Sequence, residues 1–435
     1  MNRTFVSFPI QDFDNTKQQM LNWANRFNIC CFLDNNGYQS GHHKIECLLG
    51  VGAVQSLSAA AGNALDQLQK FGSQHKDWLF GHLGYDLKNE TEHLSSSHPD
   101  KINFPDLFFF VPEIVVELTA NTMRIGSIGV KADSVYREII SIRLTDKKGK
   151  AETVSESHKG IGIRERYTRD EYLQTINLLK QHILRGDCYE INFCQEFYAE
   201  DITIDPVEIF LKLSRLSPNP FSAFYKLDDK YLICASPERY LKKDGLKVIS
   251  QPIKGTLKRT GNDAEADSAN QQRLSESAKD RSENVMVVDL VRNDLSRICI
   301  EGSVVVDELF GVYNFPQVYQ MISTVSGELK SESDWVEVIR ATFPMGSMTG
   351  APKQNVLRLI EKYERTKRGI FSGAIGYINP EKDFDFNVVI RSLIYNRSGR
   401  YLSFPAGSGI TFYSDPEAEY EECLVKVAAI RDILQ

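Results

Sequence analysis

The chain has 435 residues, 42% of them hydrophobic and 25% charged, and a formal net charge of −7. These are ordinary globular values, and the absence of a basic run argues against nucleic acid as a partner. No apolar run is long enough to span a membrane, and the opening MNRTFVSFPIQDFDN lacks the apolar core of a secretory signal, so a cytoplasmic protein with no membrane contact is expected.

Residues 1–160 are expected to form a first, family-variable region of strands and a few helices, packed on a larger domain spanning 161–435. Strand-like runs occur at Ile29–Leu33, Leu107–Leu118 and Ile125–Val130, and GHLGYD from Gly81 to Asp86 reads as a punctuated turn. GVGAV at Gly50 carries only part of a dinucleotide fingerprint and has no clear helix after it. Asp146–Glu165 is polar and contains Gly and Ser, the composition of a linker. Thr168 and Glu171 form a capping box ahead of Tyr172, Ile176, Leu179 and Ile183 at helical spacing, with Gly186 as the stop. Cys188–Glu200 reads as a strand, Asp205-Pro206 as a helix start, and Phe221–Lys226 and Tyr231–Ala235 as strands leading to Ser236-Pro237-Glu238-Arg239. Leu246–Ser250 runs into Gln251-Pro252-Ile253-Lys254-Gly255-Thr256. Ala264–Ala278 has the composition of an exposed insertion leading into a long helix with Glu276, Asp280 and Glu283 on one face. Asp334 and Glu337 open another helix, FPMGSMTGAPK is a loop before a helix, and strands follow near Phe371–Ile378, Asn387–Tyr395 and Tyr401–Phe404. Ala406–Gly409 reads as a glycine turn, and Asp415-Pro416 starts the last helix. Helices and strands mix without strict βαβ alternation, which predicts an α+β fold.

The eight cysteines form no CxxC pair and read as reduced, buried thiols. All eight histidines lie at or before His182, so chemistry in the remainder must run on Lys, Glu and Asp, with an oxygen-liganded metal. Three features suit such chemistry. Glu419, Glu422 and Lys426 share a helical face just after a turn whose glycines let backbone N–H groups approach an anion. Asp280 and Glu283 share a face of an earlier helix. Two carboxylates about 5 Å apart repel by roughly 3 kcal/mol at an effective dielectric near 20, so four across one cleft need a cation, and magnesium suits them. The alternative is two unrelated solvated acidic faces. Lys254, at a strand end beside a glycine, can enter a pocket that lowers its pKa and frees a nucleophilic amine, or can be a surface turn lysine.

PIKGT, SPERY, DRSENVMVVDLVRNDLSRI, FPMGSMTGAPK, GAIGY, VIRSL and AGSGITFYSDPEAEYEE occur in one fixed order. They resemble the chorismate-utilising enzymes, a family that includes anthranilate, aminodeoxychorismate, isochorismate and salicylate synthases. The resemblance runs from about Arg164 to the C-terminus and, through GHLGYDL, more weakly into the first region. It implies large antiparallel β-sheets packed together with helices outside. The lysine of PIKGT implies the para-aminobenzoate branch, in which chorismate and ammonia give 4-amino-4-deoxychorismate for folate synthesis. By the same resemblance Lys254 is the nucleophile at C2 and Glu238 the acid/base at the C4 side. Glu283 and Glu422 are implied as direct Mg²⁺ ligands, with Asp280 and Glu419 beside them. Ser347, Arg391, Lys426 and the backbone of Gly407, Ser408 and Gly409 are implied to bind substrate carboxylates.

The chain departs from the family pattern at four positions. Glu190 stands where isochorismate synthases place a water-activating lysine, and Gln320 where the anthranilate branch has a histidine for pyruvate elimination. Phe371 replaces a common tyrosine, and Asp280 a frequent glutamate. A glutaminase G-x-C-x-G turn and His-x-Glu pair are absent, so ammonia is expected from solution or a glutamine amidotransferase subunit. The competing readings are the anthranilate branch, and a catalytically silent chorismate-binding homologue.

Overall fold

The computed structural model describes residues 3–38, 46–144, 161–259, 264–315, 318–331 and 334–435. Most of the linker expected at Asp146–Glu165 lies outside the described residues. Among those described, strands form antiparallel sheets of eleven, ten and three. The fold is α+β, with large antiparallel sheets as anticipated.

Alternation along each strand sets the layering. In the eleven-stranded sheet, Cys30 and Phe32 of Ile29–Asp34 join a core with the helices Phe13–Ala24, Ala132–Ile140, Pro206–Leu216 and Pro416–Leu434. Cys31 and Leu33, one residue out of phase, join a second core with Phe80, Phe108, Phe110 and Phe386 of the ten-stranded sheet. The two sheets therefore pack face to face, and each large side chain buried between them contributes about 1.5–3 kcal/mol. Chain-distant strands are neighbours in both: Ile29–Asp34 pairs with Phe221–Leu227, and Leu79–Leu83 with Ala374–Ile378. No described helix is long and apolar enough to cross a membrane.

Local signals place the helix starts. Thr168 and Glu171 exchange capping-box hydrogen bonds, and Asp205, Asp334 and Asp415 accept from the first-turn amides of their helices. Elsewhere the structure corrects the sequence reading. Leu107–Leu118 is two strands: Leu107–Val111 belongs to the ten-stranded sheet and Ile114–Leu118 to the eleven-stranded one. Cys188–Glu200 likewise divides, Glu190–Gln195 in the small sheet and Phe197–Ala199 in the eleven-stranded one. The stretch expected as an exposed insertion is the helix Ala264–Glu276, anchored by buried Leu274. Glu276 ends it, and Ser277 caps a separate helix, Ala278–Ser296, through the Asp280 amide. The strand expected at Asn387–Tyr395 is broken by Arg391, whose φ is 52°, giving Phe384–Val388 and Ser392–Asn396.

One buried arginine joins these parts around the small sheet. Arg368 forms a forked pair with Glu364, donates to the carbonyls of Met348 and Asn192 at 2.7 and 2.8 Å, and lies 4.5 Å over the Tyr85 ring. Glu364 also accepts from the Cys194 amide. Arg368→Met therefore strands a carboxylate that is 5% exposed. It should cost about 3–5 kcal/mol in urea unfolding, and a loss under about 1 kcal/mol would remove Arg368 as the tie.

Candidate active site

The small sheet makes the floor of the site. Glu190–Gln195 runs against Ala406–Ile410, with Asn192 opposite Gly409 and Cys194 opposite Gly407. The glycine run read as a turn is thus a strand, and neither glycine has positive φ. They are needed for close approach instead. A Cβ at Gly407 would fall 2.1 Å from the Phe193 carbonyl oxygen, and one at Gly409 would fall 2.8 Å from both Lys254 Nζ and Glu190 Oε1.

Above this floor lies a cavity of about 500 Å³. It is lined by Lys254, Glu238, Ser347, Arg391, Gly407, Gly409 and Lys426, and by Asp280, Glu283 and Glu422. Two residues from the same expected set stand outside it. Ser408, on the other face of its strand, is fully buried beside Tyr172, so any part it takes is through its backbone. Glu419 lies behind the wall, 1% exposed. Gln320 and Phe371 line the cavity too. Asn192, which the sequence reading passed over, does so while donating to the Ser347 carbonyl at 3.2 Å.

Lys254 comes from the strand Ile253–Lys258, and Gly255 after it, at φ 88°, packs so near the head of the Ala278–Ser296 helix that a Cβ there would fall 3.0 Å from Asp280. Its Nζ donates to Glu190 Oε1 at 2.5 Å, with both side chains buried. Burial pulls the ammonium's pKa down, but Glu190, Glu283 and Glu238 outweigh it and hold the pKa above its ordinary value. This overturns the expectation of a lowered lysine pKa. The cause is Glu190, sixty-four residues away in the chain, for which the sequence offers no pairing signal.

The acids differ among themselves. Burial raises Glu238 to about 7, against the opposing pull of the Ser347 hydroxyl and Lys254. Burial likewise raises Glu283 to about 8. Glu422 is half-exposed, and Lys426 at 2.7 Å holds it at about 2. Arg391 is lowered by burial, and no carboxylate comes within ion-pair distance of it among the described residues. It is a charged fork available for an anion.

Glu283 Oε1 and Glu419 Oε2 are buried carboxylate oxygens without a hydrogen-bond partner. With Asp280 and Glu422 they offer only oxygen donors, from two helices, the donor type a hard cation takes. No group of three or more Asp, Glu, His or Cys side chains placed to hold a metal ion occurs among the described residues. Magnesium suits such donors, since it takes one or two carboxylates and leaves its other positions to water and substrate.

Residues 33–432 match the family described as chorismate binding enzyme. The chain is 35% identical over 351 residues to aminodeoxychorismate synthase component 1 of Salmonella typhimurium, covering 80% of this chain and 75% of that one. It is 32% identical over 388 residues to a probable chloroplastic aminodeoxychorismate synthase of Oryza sativa, covering 82% of this chain but 43% of the rice protein. Its fold superimposes on the crystal structure of anthranilate synthase component I from Streptococcus pneumoniae with a TM-score of 0.76, at 24% identity, over 92% of this chain and 96% of that one.

The Lys254–Glu190 pair yields a direct measurement. In Glu190→Gln the ammonium loses its nearest counter-charge, burial gains the upper hand, and the pKa falls. Lys254 should then react with an acylating reagent at a pH about one unit or more below that needed in the wild type, as read by mass spectrometry. Identical labelling curves would mean that Glu190 does not hold the proton.

Proposed function

Because the chain belongs to the chorismate binding enzyme family, we propose that it is the first component of an aminodeoxychorismate synthase. It converts chorismate and ammonia to 4-amino-4-deoxychorismate and water, on the route to para-aminobenzoate and folate. The observation that carries this reading is Lys254, a buried primary amine that faces the same cavity as a carboxyl group raised to about 7.

Arg391, Lys426 and the Gly407–Gly409 backbone hold the substrate carboxylates. Glu190 accepts the proton of Lys254 Nζ across their 2.5 Å contact, and the freed amine attacks C2. Glu238, protonated below about pH 7, gives its proton to the 4-hydroxyl, which leaves as water. Ammonia then adds at C4 and expels the lysine amine, Glu238 takes one proton from the new C4 ammonium, and Lys254 recovers its own from Glu190. Gln320 in the cavity wall is a neutral amide that cannot shuttle a proton, so the enolpyruvyl group stays on the ring. Magnesium, held by Glu283 and Glu422 with Asp280 and Glu419 alongside, would supply positive charge for the ring carboxylate. Ammonia comes from solution or from a separate glutamine amidotransferase subunit. The eight free, buried cysteines suit the reducing cytosol.

The test is product formation by the purified chain from chorismate, ammonium chloride and magnesium, followed by mass spectrometry. Aminodeoxychorismate is expected with ammonium and not with glutamine; anthranilate or unchanged chorismate overturns the reading. Lys254→Ala should lose on the order of 100-fold or more, about 2.7 kcal/mol of barrier, while retaining chorismate binding by calorimetry. Lys254→Arg should fail too, because a guanidinium keeps its proton. A Lys254→Ala enzyme at wild-type rate would eliminate covalent catalysis. For the metal, Glu283→Gln and Glu422→Gln should each raise the half-saturating magnesium concentration by roughly tenfold or more, about 1.4 kcal/mol, with circular dichroism unchanged. Wild-type magnesium dependence in both variants sinks the ligand assignment.

A further inference from the structure

Three ammonium groups and at least five carboxylates share this region, and one of the ammoniums has no place in the reaction as written. Lys279 Nζ donates to Glu419 Oε1 at 3.0 Å and stands 3.8 Å from Glu283 Oε1. It therefore bridges the two helices between the carboxylates that carry the unpartnered oxygens. The three side chains are unequally held. Glu419 and Glu283 are 1% and 9% exposed, whereas the Lys279 side chain is 39% exposed and enters from solvent on a flexible stem. Its position opposes local helix preference. Lys279 lies in the first turn of Ala278–Ser296, between the Ser277 cap and Asp280, where the helix dipole disfavours a cation. Something other than helix stability must reward a positive charge there, and the facing acids do.

We propose that Lys279 is a built-in counter-ion for the metal site. Its ammonium offsets Glu419 and Glu283 until a divalent cation arrives at Glu283 with Glu419 alongside, then withdraws into solvent as the cation takes its place. This rests on the magnesium reading above. The carboxylates keep one arrangement throughout, and the lysine is the part that moves. Magnesium binding is then an exchange of one cation for another, which sets its affinity below that of the bare acids and keeps four carboxylates from repelling one another without it.

The experiment uses the full chain, magnesium chloride and two readouts that do not depend on turnover. Lys279 acylation, followed by peptide mass spectrometry, should rise severalfold on adding magnesium, because the ammonium is released. In Lys279→Met, which keeps the apolar stem, calorimetry should show magnesium bound at least fivefold more tightly than in the wild type. The same variant should unfold at a lower temperature without magnesium, with the gap narrowing as magnesium is added. Equal magnesium affinity in the two proteins, with unchanged Lys279 labelling, overturns the exchange and leaves the metal site standing. No magnesium binding by either protein overturns both.

Discussion

An ammonium group taken out of water must meet a compensating acceptor, and around this cavity that acceptor is a carboxylate for each lysine. Lys254 meets Glu190 at 2.5 Å, Lys426 meets Glu422 at 2.7 Å, and Lys279 meets Glu419 at 3.0 Å. Each pair joins different elements or successive turns of one helix, so the charges also locate the parts. Removing one partner from a buried pair leaves the other uncompensated, which costs more than the pair contributes. The pairing explains how so many ionisable groups fit round one cavity of about 500 Å³. Arg391 is the exception: a lowered guanidinium facing the cavity without a carboxylate within ion-pair distance among the described residues. That guanidinium gives a substrate carboxylate one place to bind in a cavity otherwise rich in acids.

Geometry depends on a second constraint, the closeness of two strands. Gly407 and Gly409 let Ala406–Ile410 lie against Glu190–Gln195 with no side chains between the cavity and the Lys254–Glu190 pair. Arg368 then fixes the 3-10 turn Gly346–Met348, which bears Ser347, to the same strand through the carbonyls of Met348 and Asn192. Lys254 thus sits on a strand and Glu238 in the two-residue link between two strands, which hold positions more closely than free loops do.

Features written within a few residues of each other were legible in the sequence. The Thr168–Glu171 box, Asp205-Pro206 and Asp415-Pro416 all start helices where expected, because a cap needs only its own first turn. Ten of the proposed site residues converge on one cavity because ordered motifs revealed the family. Long-range partners were hidden. Nothing near Lys254 points to Glu190, and nothing near Arg368 points to Asn192. The glycines of Ala406–Gly409 misled for a different reason, since glycine marks close approach as well as turns. Lys279 could have been found: it lies four residues before Glu283 on one helical face.

The interleaving of the two large sheets bears on how the chain is made. Leu79–Leu83 pairs with Ala374–Ile378, which leaves the ribosome roughly 290 residues later. At about 5–20 residues per second, that strand waits on the order of 15–60 s for its neighbour. Its sequence, LFGHL, is fully buried in the finished protein, as is FFF at Phe108–Phe110 beside it. During synthesis these apolar edges are uncovered together, a nascent surface suited to a chaperone and exposed to aggregation when translation outruns it.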